Sequence, residues 1–130
     1  MFAPPPTDPA GSVAAIVVTH ESAAVIERCL VSLCEAAPRR GLEIRVVDNA
    51  SCDDGPVRAA RLIGAGGVVR LPSNRGFAAG VNAGLRAVSA PWRAVLNPDT
   101  VVAPGALDTL ADLLESRPRA ALVGPRVRGE

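Results

Sequence analysis

The chain has 130 residues, of which 48% are hydrophobic, and its 14 basic and 13 acidic residues leave a net charge of +1. That length predicts a single compact domain, and the apolar fraction argues against an intrinsically disordered chain. A near-neutral charge argues against the concentrated basic surface of a nucleic-acid-binding protein, so we expect no nucleic acid partner.

The beginning of the chain does not resemble a secretion signal. Residues Met1–Ser12 are rich in proline and small residues and show no periodicity, so we predict a disordered tail before a domain at 13–130. The longest apolar run, Val13–Val18, is far too short to span a bilayer. We therefore expect a cytoplasmic protein, with its cysteines as reduced thiols: Cys29, Cys34 and Cys52.

Short apolar runs alternate with segments of helical periodicity from Val13 onward. In chain order they predict strand Val13–Thr19, helix Ala24–Ala36, strand Glu43–Asp48, helix Pro56–Ile63, strand Val68–Leu71, helix Phe77–Ser89, strand Arg93–Leu96, helix Pro104–Ser116 and strand Ala120–Val123. Right-handed crossovers between such strands give an α/β fold, an open and mostly parallel sheet of about five strands with helices on both faces.

Ligands of such sheets bind at the carboxyl ends of the strands, where the strand order reverses. This rule selects the loops that begin at Thr19, Asp48, Leu71 and Leu96. Polar residues that are unusual for a buried sheet lie in all of these loops.

The first two loops carry groups suited to a nucleoside. Thr19, His20 and Glu21 directly follow the first strand, where polar side chains and free helix-end N–H groups meet the crevice. Ser22 leaves open the alternative of a simple helix cap. Asp48 ends the second strand, where its carboxylate can accept a hydrogen bond from a base or a ribose hydroxyl, or can simply form a turn.

The third loop leads into a glycine-rich helix. Gly80 and Gly84 each cost about 1 kcal/mol relative to alanine in a helix, but they share a face and would allow close packing on the sheet. The start of this helix, at Gly76-Phe77, can offer free N–H groups to a diphosphate, with Arg75 beside them.

The fourth loop contains Asn97-Pro98-Asp99. Oxygen ligands from one tight loop suit Mg²⁺ or Mn²⁺ held jointly with substrate phosphates, so Asp99 and Asn97 are the candidate metal ligands. A turn that merely starts the next helix is the alternative.

Taken together, these segments resemble the family 2 glycosyltransferases of the GT-A fold. The residues that carry the resemblance are Thr19-His20-Glu21, Val47-Asp48-Asn49-Ala50-Ser51, Asn74-Arg75-Gly76-Phe77-Ala78-Ala79-Gly80-Val81-Asn82-Ala83-Gly84 and Leu96-Asn97-Pro98-Asp99. The resemblance covers Val13 to the end of the chain, and the Asn-x-Gly-Phe-Ala-x-Gly-x-Asn-x-Gly string is its most specific part. It is strongest to the rhamnosyltransferase-like branch, where Asn-Pro-Asp replaces Asp-x-Asp.

The resemblance implies a Rossmann-like GT-A fold and an inverting transfer of a sugar from a nucleotide diphosphate sugar, dTDP-rhamnose or a UDP-sugar, to an acceptor hydroxyl in cell wall or polysaccharide biosynthesis. It implies that Thr19 and Glu21 line the nucleoside pocket and that Asp48 accepts the N3–H of uracil or thymine. Asn74 and Arg75 would lie near the base or the phosphates. Asp99 would coordinate the divalent cation, whereas Asn97 replaces an aspartate with a weaker carboxamide ligand.

The catalytic base of the family comes from later sequence, which we expect beyond Glu130. This chain is therefore expected to supply only the donor-binding half and, alone, to transfer sugar poorly or not at all. The acceptor would be a glycan or glycolipid, which leaves open peripheral contact with the inner face of the membrane. Two alternatives stay open: a nucleotidyltransferase, and a non-catalytic nucleotide-binding relic or interaction module.

Overall fold

A computed structural model describes residues 11–129 of the chain. Residues 1–10 of the predicted tail, and Glu130, lie outside the described residues. Ser12, which the prediction included in the tail, is buried, and its carbonyl accepts a hydrogen bond from the Trp92 N–H at 3.4 Å. Packed structure therefore begins one residue before the predicted boundary at Val13.

Strands and helices alternate along the described residues. They are β1 (Val13–Thr19), α1 (Ile26–Glu35), β2 (Leu42–Asp48), α2 (Gly55–Ile63), β3 (Val68–Arg70), α3 (Phe77–Arg86), β4 (Trp92–Leu96) and α4 (Ala106–Glu115), with a short 3₁₀ turn, Ala65–Gly67, before β3. The first eight predicted elements are all present, and their ends lie within a few residues of the predicted ones.

The sheet has the strand order β3-β2-β1-β4, and all its strand pairs are parallel. The chain moves outward from β1 through β2 to β3 and then crosses back, so that β4 pairs with the other side of β1. This reversal creates the switch point at which open α/β sheets bind ligands. The predicted open parallel sheet is confirmed.

Helices cover both faces of the sheet, as predicted. One core packs α1, α2 and α4 on the sheet and contains Val17, Leu30 and Leu107. The other lies beneath α3 and contains Ile16, Val18 and Val47, among others. All seven residues of β1 are buried, which explains why this strand is apolar from Val13 to Val18.

The glycines of α3 permit a close approach of this helix to the sheet. A Cβ atom on Gly80 would overlap the side chain of Val18, and one on Gly84 would overlap that of Ile16. The packing explanation for these glycines is therefore confirmed, and it fixes the start of α3 close to the ends of β1 and β2.

The predicted fifth strand at Ala120–Val123 is wrong. Residues 120–129 form no helix or strand, and Leu122 is 90% exposed. A strand gains its hydrogen bonds only by pairing, and this short apolar run lies between Pro118 and Pro125 without joining the sheet. In the described part of the chain the sheet has four strands.

None of the helices within residues 11–129 combines the length and apolar character needed to cross a membrane.

Candidate functional site

The carboxyl ends of the strands meet at one edge of the sheet, which we call the candidate edge. The register places Thr19 opposite Asp48, and Asp48 opposite Arg70. Asp99 follows β4, on the other side of β1. Because neighbouring strands lie about 4.8 Å apart, the ends of β2 and β4 are separated by roughly 10 Å. The topology thus brings Asp48 and Asp99 to the same edge.

Thr19 is a buried polar residue at the centre of this edge. It is 1% exposed, and its Oγ1 has no hydrogen-bond partner among the described residues. An unpaired buried hydroxyl costs about 1–3 kcal/mol. The Thr19 carbonyl accepts a hydrogen bond from the Asn49 N–H at 2.8 Å, so the backbone here is fixed while the hydroxyl lacks a partner.

Asp48 is fully enclosed, with partners on both carboxylate oxygens. Its Oδ1 accepts a hydrogen bond from the Ser51 N–H at 3.1 Å, and its Oδ2 accepts one from Arg70 Nε at 3.2 Å. The turn that the sequence left open as an alternative is therefore formed. Arg70 was not predicted as a site residue. The sequence signal that could have identified it is its position as a charged residue at the end of a short apolar strand.

Asn49 is a second residue that the sequence analysis missed, although it lies in the Val-Asp-Asn segment. It is 3% exposed, its Nδ2 donates to the Gly76 carbonyl at 2.9 Å, and its Oδ1 accepts from the Arg75 N–H at 3.3 Å. Its own carbonyl accepts a hydrogen bond from His20 Nδ1 at 3.0 Å. Asn49 therefore joins the loops that follow β1, β2 and β3.

Glu21 connects the first loop to the second. Its N–H donates to Ser51 Oγ at 3.0 Å, and its Oε1 accepts from the Cys52 N–H at 2.6 Å. Its φ of +50° is rare for a residue with a side chain, as is the +60° of Ala50 in the facing loop. These contacts hold the Glu21 carboxylate against the second loop.

Ser22 does not cap α1 with its side chain. Its hydroxyl donates to the His20 carbonyl at 2.9 Å, while its backbone carbonyl accepts from the Ile26 N–H at 3.0 Å. The cap interpretation is wrong because the helix begins four residues later, at Ile26. Asp53 completes the junction of the two loops by accepting from the Ala23 N–H at 2.8 Å.

The third loop turns sharply into α3. Asn74 Oδ1 accepts a hydrogen bond from the Gly76 N–H at 2.9 Å, and Gly76 has a φ of +87°, which favours glycine. The Gly76 N–H is therefore already engaged, so N–H groups for an anion begin at Phe77, in the first turn of the helix. The Arg75 side chain is exposed at this edge.

Asn97 and Asp99 lie exposed in the fourth loop. The Asn97 carbonyl accepts from the Thr100 N–H at 3.2 Å, so the predicted alternative of a turn is also formed here. Burial, and to a lesser extent the carboxylate of Asp99, raise the pKa of the Cys29 thiol to about 11. The Cys29 thiol donates to the Asn97 carbonyl at 3.8 Å, which places the fourth loop against α1. Cys29, Cys34 and Cys52 are free thiols.

The acidic side chains at the candidate edge decide which kind of metal site is possible here. Within residues 11–129, no group of three His, Cys, Asp or Glu side chains could hold a metal ion by itself. Mg²⁺ is commonly bound by one or two carboxylates plus substrate phosphates, and the exposed Asp99 carboxylate fits that arrangement. The residues fit a cation that is shared with a diphosphate, and they do not fit a cation held by protein alone.

A family model described as "Glycosyl transferase family 2" matches residues 14–130 of the chain. Among curated proteins, the chain is 28% identical over 124 residues to the N-acetylglucosaminyl-diphospho-decaprenol L-rhamnosyltransferase of Mycobacterium tuberculosis strain H37Rv. The match covers 87% of this chain and 40% of that relative. The same protein of strain CDC 1551 matches equally well. The chain thus spans about 40% of the length of these relatives.

Solved structures with a similar fold include Staphylococcus aureus TarS 1-349 in complex with UDP-GlcNAc, with a TM-score of 0.69 and 24% identity over 81% of this chain and 31% of that one. The mannosyltransferase PcManGT from Pyrobaculum calidifontis, in complex with GDP-Man and Mn²⁺, has a TM-score of 0.67 and 31% identity. That match covers 79% of this chain and 31% of that one. Because TarS is 24% identical to this chain, the likeness to TarS concerns the fold alone.

Proposed function

This chain belongs to glycosyl transferase family 2, and from that membership we propose that it forms the donor-binding part of an inverting glycosyltransferase. The observation that carries the proposal is the meeting of four polar loops at the candidate edge, with Asp48 and Asp99 on the two sides of β1. Such an edge is where open α/β sheets bind nucleotides.

The proposed donor is a nucleotide diphosphate sugar. The relatives that are L-rhamnosyltransferases favour dTDP-rhamnose, and a UDP-sugar is the alternative donor. In this proposal Thr19, His20 and Glu21 line the nucleoside site, and the unpartnered Thr19 hydroxyl gains a hydrogen bond from the ligand. Asp48 recognises the ring N–H of uracil or thymine.

The diphosphate would lie between the third and fourth loops. Asn74 shapes the turn that presents Arg75, and Gly76 starts the helix whose first N–H groups face the anion. Asp99 would hold a divalent cation together with the phosphates, with Asn97 as the weaker neighbouring ligand. Such a cation, when bound, stabilises the negative charge that develops on the leaving diphosphate.

The general base is proposed to come from beyond Glu130, because the acidic face of α4 is engaged elsewhere. Asp108 accepts a hydrogen bond from the Arg39 N–H at 3.1 Å, and Glu115 pairs with Arg40 at 2.6 Å. Asp112 also pairs with Arg40. These carboxylates connect α4 to the loop before β2, which is not a position at the candidate edge.

The acceptor is proposed to be a hydroxyl of a glycan or glycolipid in cell wall or polysaccharide biosynthesis. The name of the Mycobacterium tuberculosis relative contains a diphospho-decaprenol, which supports a lipid-linked acceptor. We propose that the enzyme works from the cytoplasm at the inner face of the membrane, with peripheral contact only.

Titration of the 130-residue chain with UDP and dTDP, with and without Mn²⁺, tests the proposal. We expect binding that is strengthened by Mn²⁺ and no sugar transfer by this chain alone. Binding that is indifferent to Mn²⁺ would favour the non-catalytic relic. The absence of binding to either nucleotide would contradict donor binding outright.

A further inference from the structure

Arg70 is held at the candidate edge by a buried carboxylate. Its Nε donates to Asp48 Oδ2 at 3.2 Å, and its side chain is 60% exposed whereas that of Asp48 is fully enclosed. The parallel register places the two residues directly opposite each other on β2 and β3. The ion pair therefore follows from the pairing of the two strands, and it fixes the position of the Arg70 Nε atom.

This ion pair occupies one of the five N–H donors of the guanidinium. Within residues 11–129, neither Nη atom of Arg70 makes a hydrogen bond or ion pair, and most of the side chain faces solvent. Asp48, by contrast, has partners on both oxygens. At this point of the edge, Arg70 presents the donors that a ligand can reach.

The strand order decides which part of a nucleotide Arg70 would meet. Asp99 follows β4 and marks the proposed diphosphate side of the site. β3 is the outer strand at the other side of the sheet. Three strand spacings separate them, which is roughly 14 Å. A nucleotide whose diphosphate lies beside Asp99 therefore directs its base, not its phosphates, toward β3.

We propose that Arg70 contacts the nucleobase and selects bases with carbonyl oxygens, such as uracil and thymine. This inference rests on the proposed function. Uracil and thymine each carry two ring carbonyl oxygens, and these oxygens can accept hydrogen bonds from the exposed Nη donors of Arg70. Cytosine carries an amino donor in place of one of these carbonyls, and that donor would face the Arg70 donors.

The test compares wild type with Arg70→Lys by isothermal titration of the 130-residue chain, with UDP, CDP and inorganic pyrophosphate, each with Mn²⁺. Lysine keeps a cation beside Asp48 but lacks the second and third nitrogen atoms of the guanidinium. We expect the affinity for UDP to fall roughly tenfold, as for the loss of one charge-assisted hydrogen bond. The affinity for CDP should fall much less, and that for pyrophosphate should not change.

Arg86→Lys is the matched control. Arg86 is exposed in the last turn of α3, at the opposite edge from the start of that helix, and its replacement should leave all three affinities at their wild-type values. Circular dichroism shows whether each variant is folded. If Arg70→Lys does not fold, the ¹⁵N signal of Arg70 Nε in the wild type replaces it: UDP should shift this signal, and pyrophosphate should not.

The outcomes separate this inference from the proposed function. Unchanged UDP affinity in Arg70→Lys, or equal losses for UDP, CDP and pyrophosphate, overturns the role of Arg70 in base selection and leaves donor binding intact. A wild-type chain that binds pyrophosphate but neither nucleotide overturns both.

Discussion

The side-chain amide of Asn49 donates to the Gly76 carbonyl at 2.9 Å, which ties the end of β2 to the residue that precedes α3. The same amide accepts from the Arg75 N–H, and the Asn49 carbonyl accepts from His20. One buried residue, through its side chain and its backbone carbonyl, thus sets the relative positions of the loops that we propose to hold the base and the diphosphate.

Replacement of Asn49 by aspartate tests this connection. The carboxylate would face the Gly76 carbonyl with no proton to donate, so we expect a loss of about 1–3 kcal/mol in the free energy of unfolding. Urea denaturation provides the measurement, and UDP affinity should fall in parallel. Asn82→Asp, at an exposed position of α3, is the matched control and should stay close to wild type. Equal stability of the two variants would contradict the role given to Asn49.

Asp99→Ala should remove the effect of Mn²⁺ on nucleotide binding. With the one proposed carboxylate ligand gone, we expect the Mn²⁺-dependent gain in UDP affinity to fall by about tenfold or more, while the affinity without metal stays the same. Calorimetric titrations with and without Mn²⁺ measure both values. Glu35→Ala, an exposed carboxylate at the end of α1, is the control. A gain that survives in Asp99→Ala would remove Asp99 from the metal site.

Gly84→Ala should destabilise the domain although alanine is the better helix former. Its Cβ would overlap Ile16 and press on Val47, and overpacking of a core typically costs about 1–3 kcal/mol. Thermal unfolding followed by circular dichroism measures the change. Gly66→Ala, where no atom lies within 4 Å of the added Cβ, should have little effect. A neutral or stabilising Gly84→Ala would mean that α3 lies farther from the sheet.

Acid should weaken the attachment of α4 through Glu115. The hydrogen bond from Arg40 lowers the pKa of Glu115 below its ordinary value of 4.5. A carboxyl group whose pKa is lower in the folded state adds stability above its unfolded pKa and loses it as the pH falls through the folded pKa. Chemical denaturation between pH 6 and about pH 3 should show a smaller acid-dependent loss in Glu115→Gln than in wild type. Identical pH profiles would show that this pair adds nothing to stability.

The sequence predicted the positions of residues along the strands better than the contacts of their side chains. Val13–Thr19 is recognisable because a strand buried on both faces is expected to read as a nearly continuous apolar run, as Val13–Val18 does. The switch point follows from chain order and handedness, so the edge that gathers Asp48 and Asp99 was predictable. The pairing of Asp48 with Arg70 was not, because it depends on the register of two strands far apart in the chain.

One local prediction and one local alternative failed for related reasons. The Ala120–Val123 run has the composition of a strand, but composition does not provide a partner to pair with. Ser22 has the chemistry of a helix cap, yet the backbone turns at Glu21, and the serine hydroxyl meets the His20 carbonyl before the helix starts. In both cases the outcome depends on neighbours that local sequence does not specify.

The outer edge of β4 has a practical consequence for work with this chain. Within residues 11–129 β4 pairs with β1 alone, and Val95 is 44% exposed beside backbone groups that have no strand to bond. An uncovered strand of this kind can pair with another molecule and so promote aggregation. The substitution Val95→Lys would reduce aggregation in concentrated samples, because charged residues on edge strands disfavour pairing with another molecule.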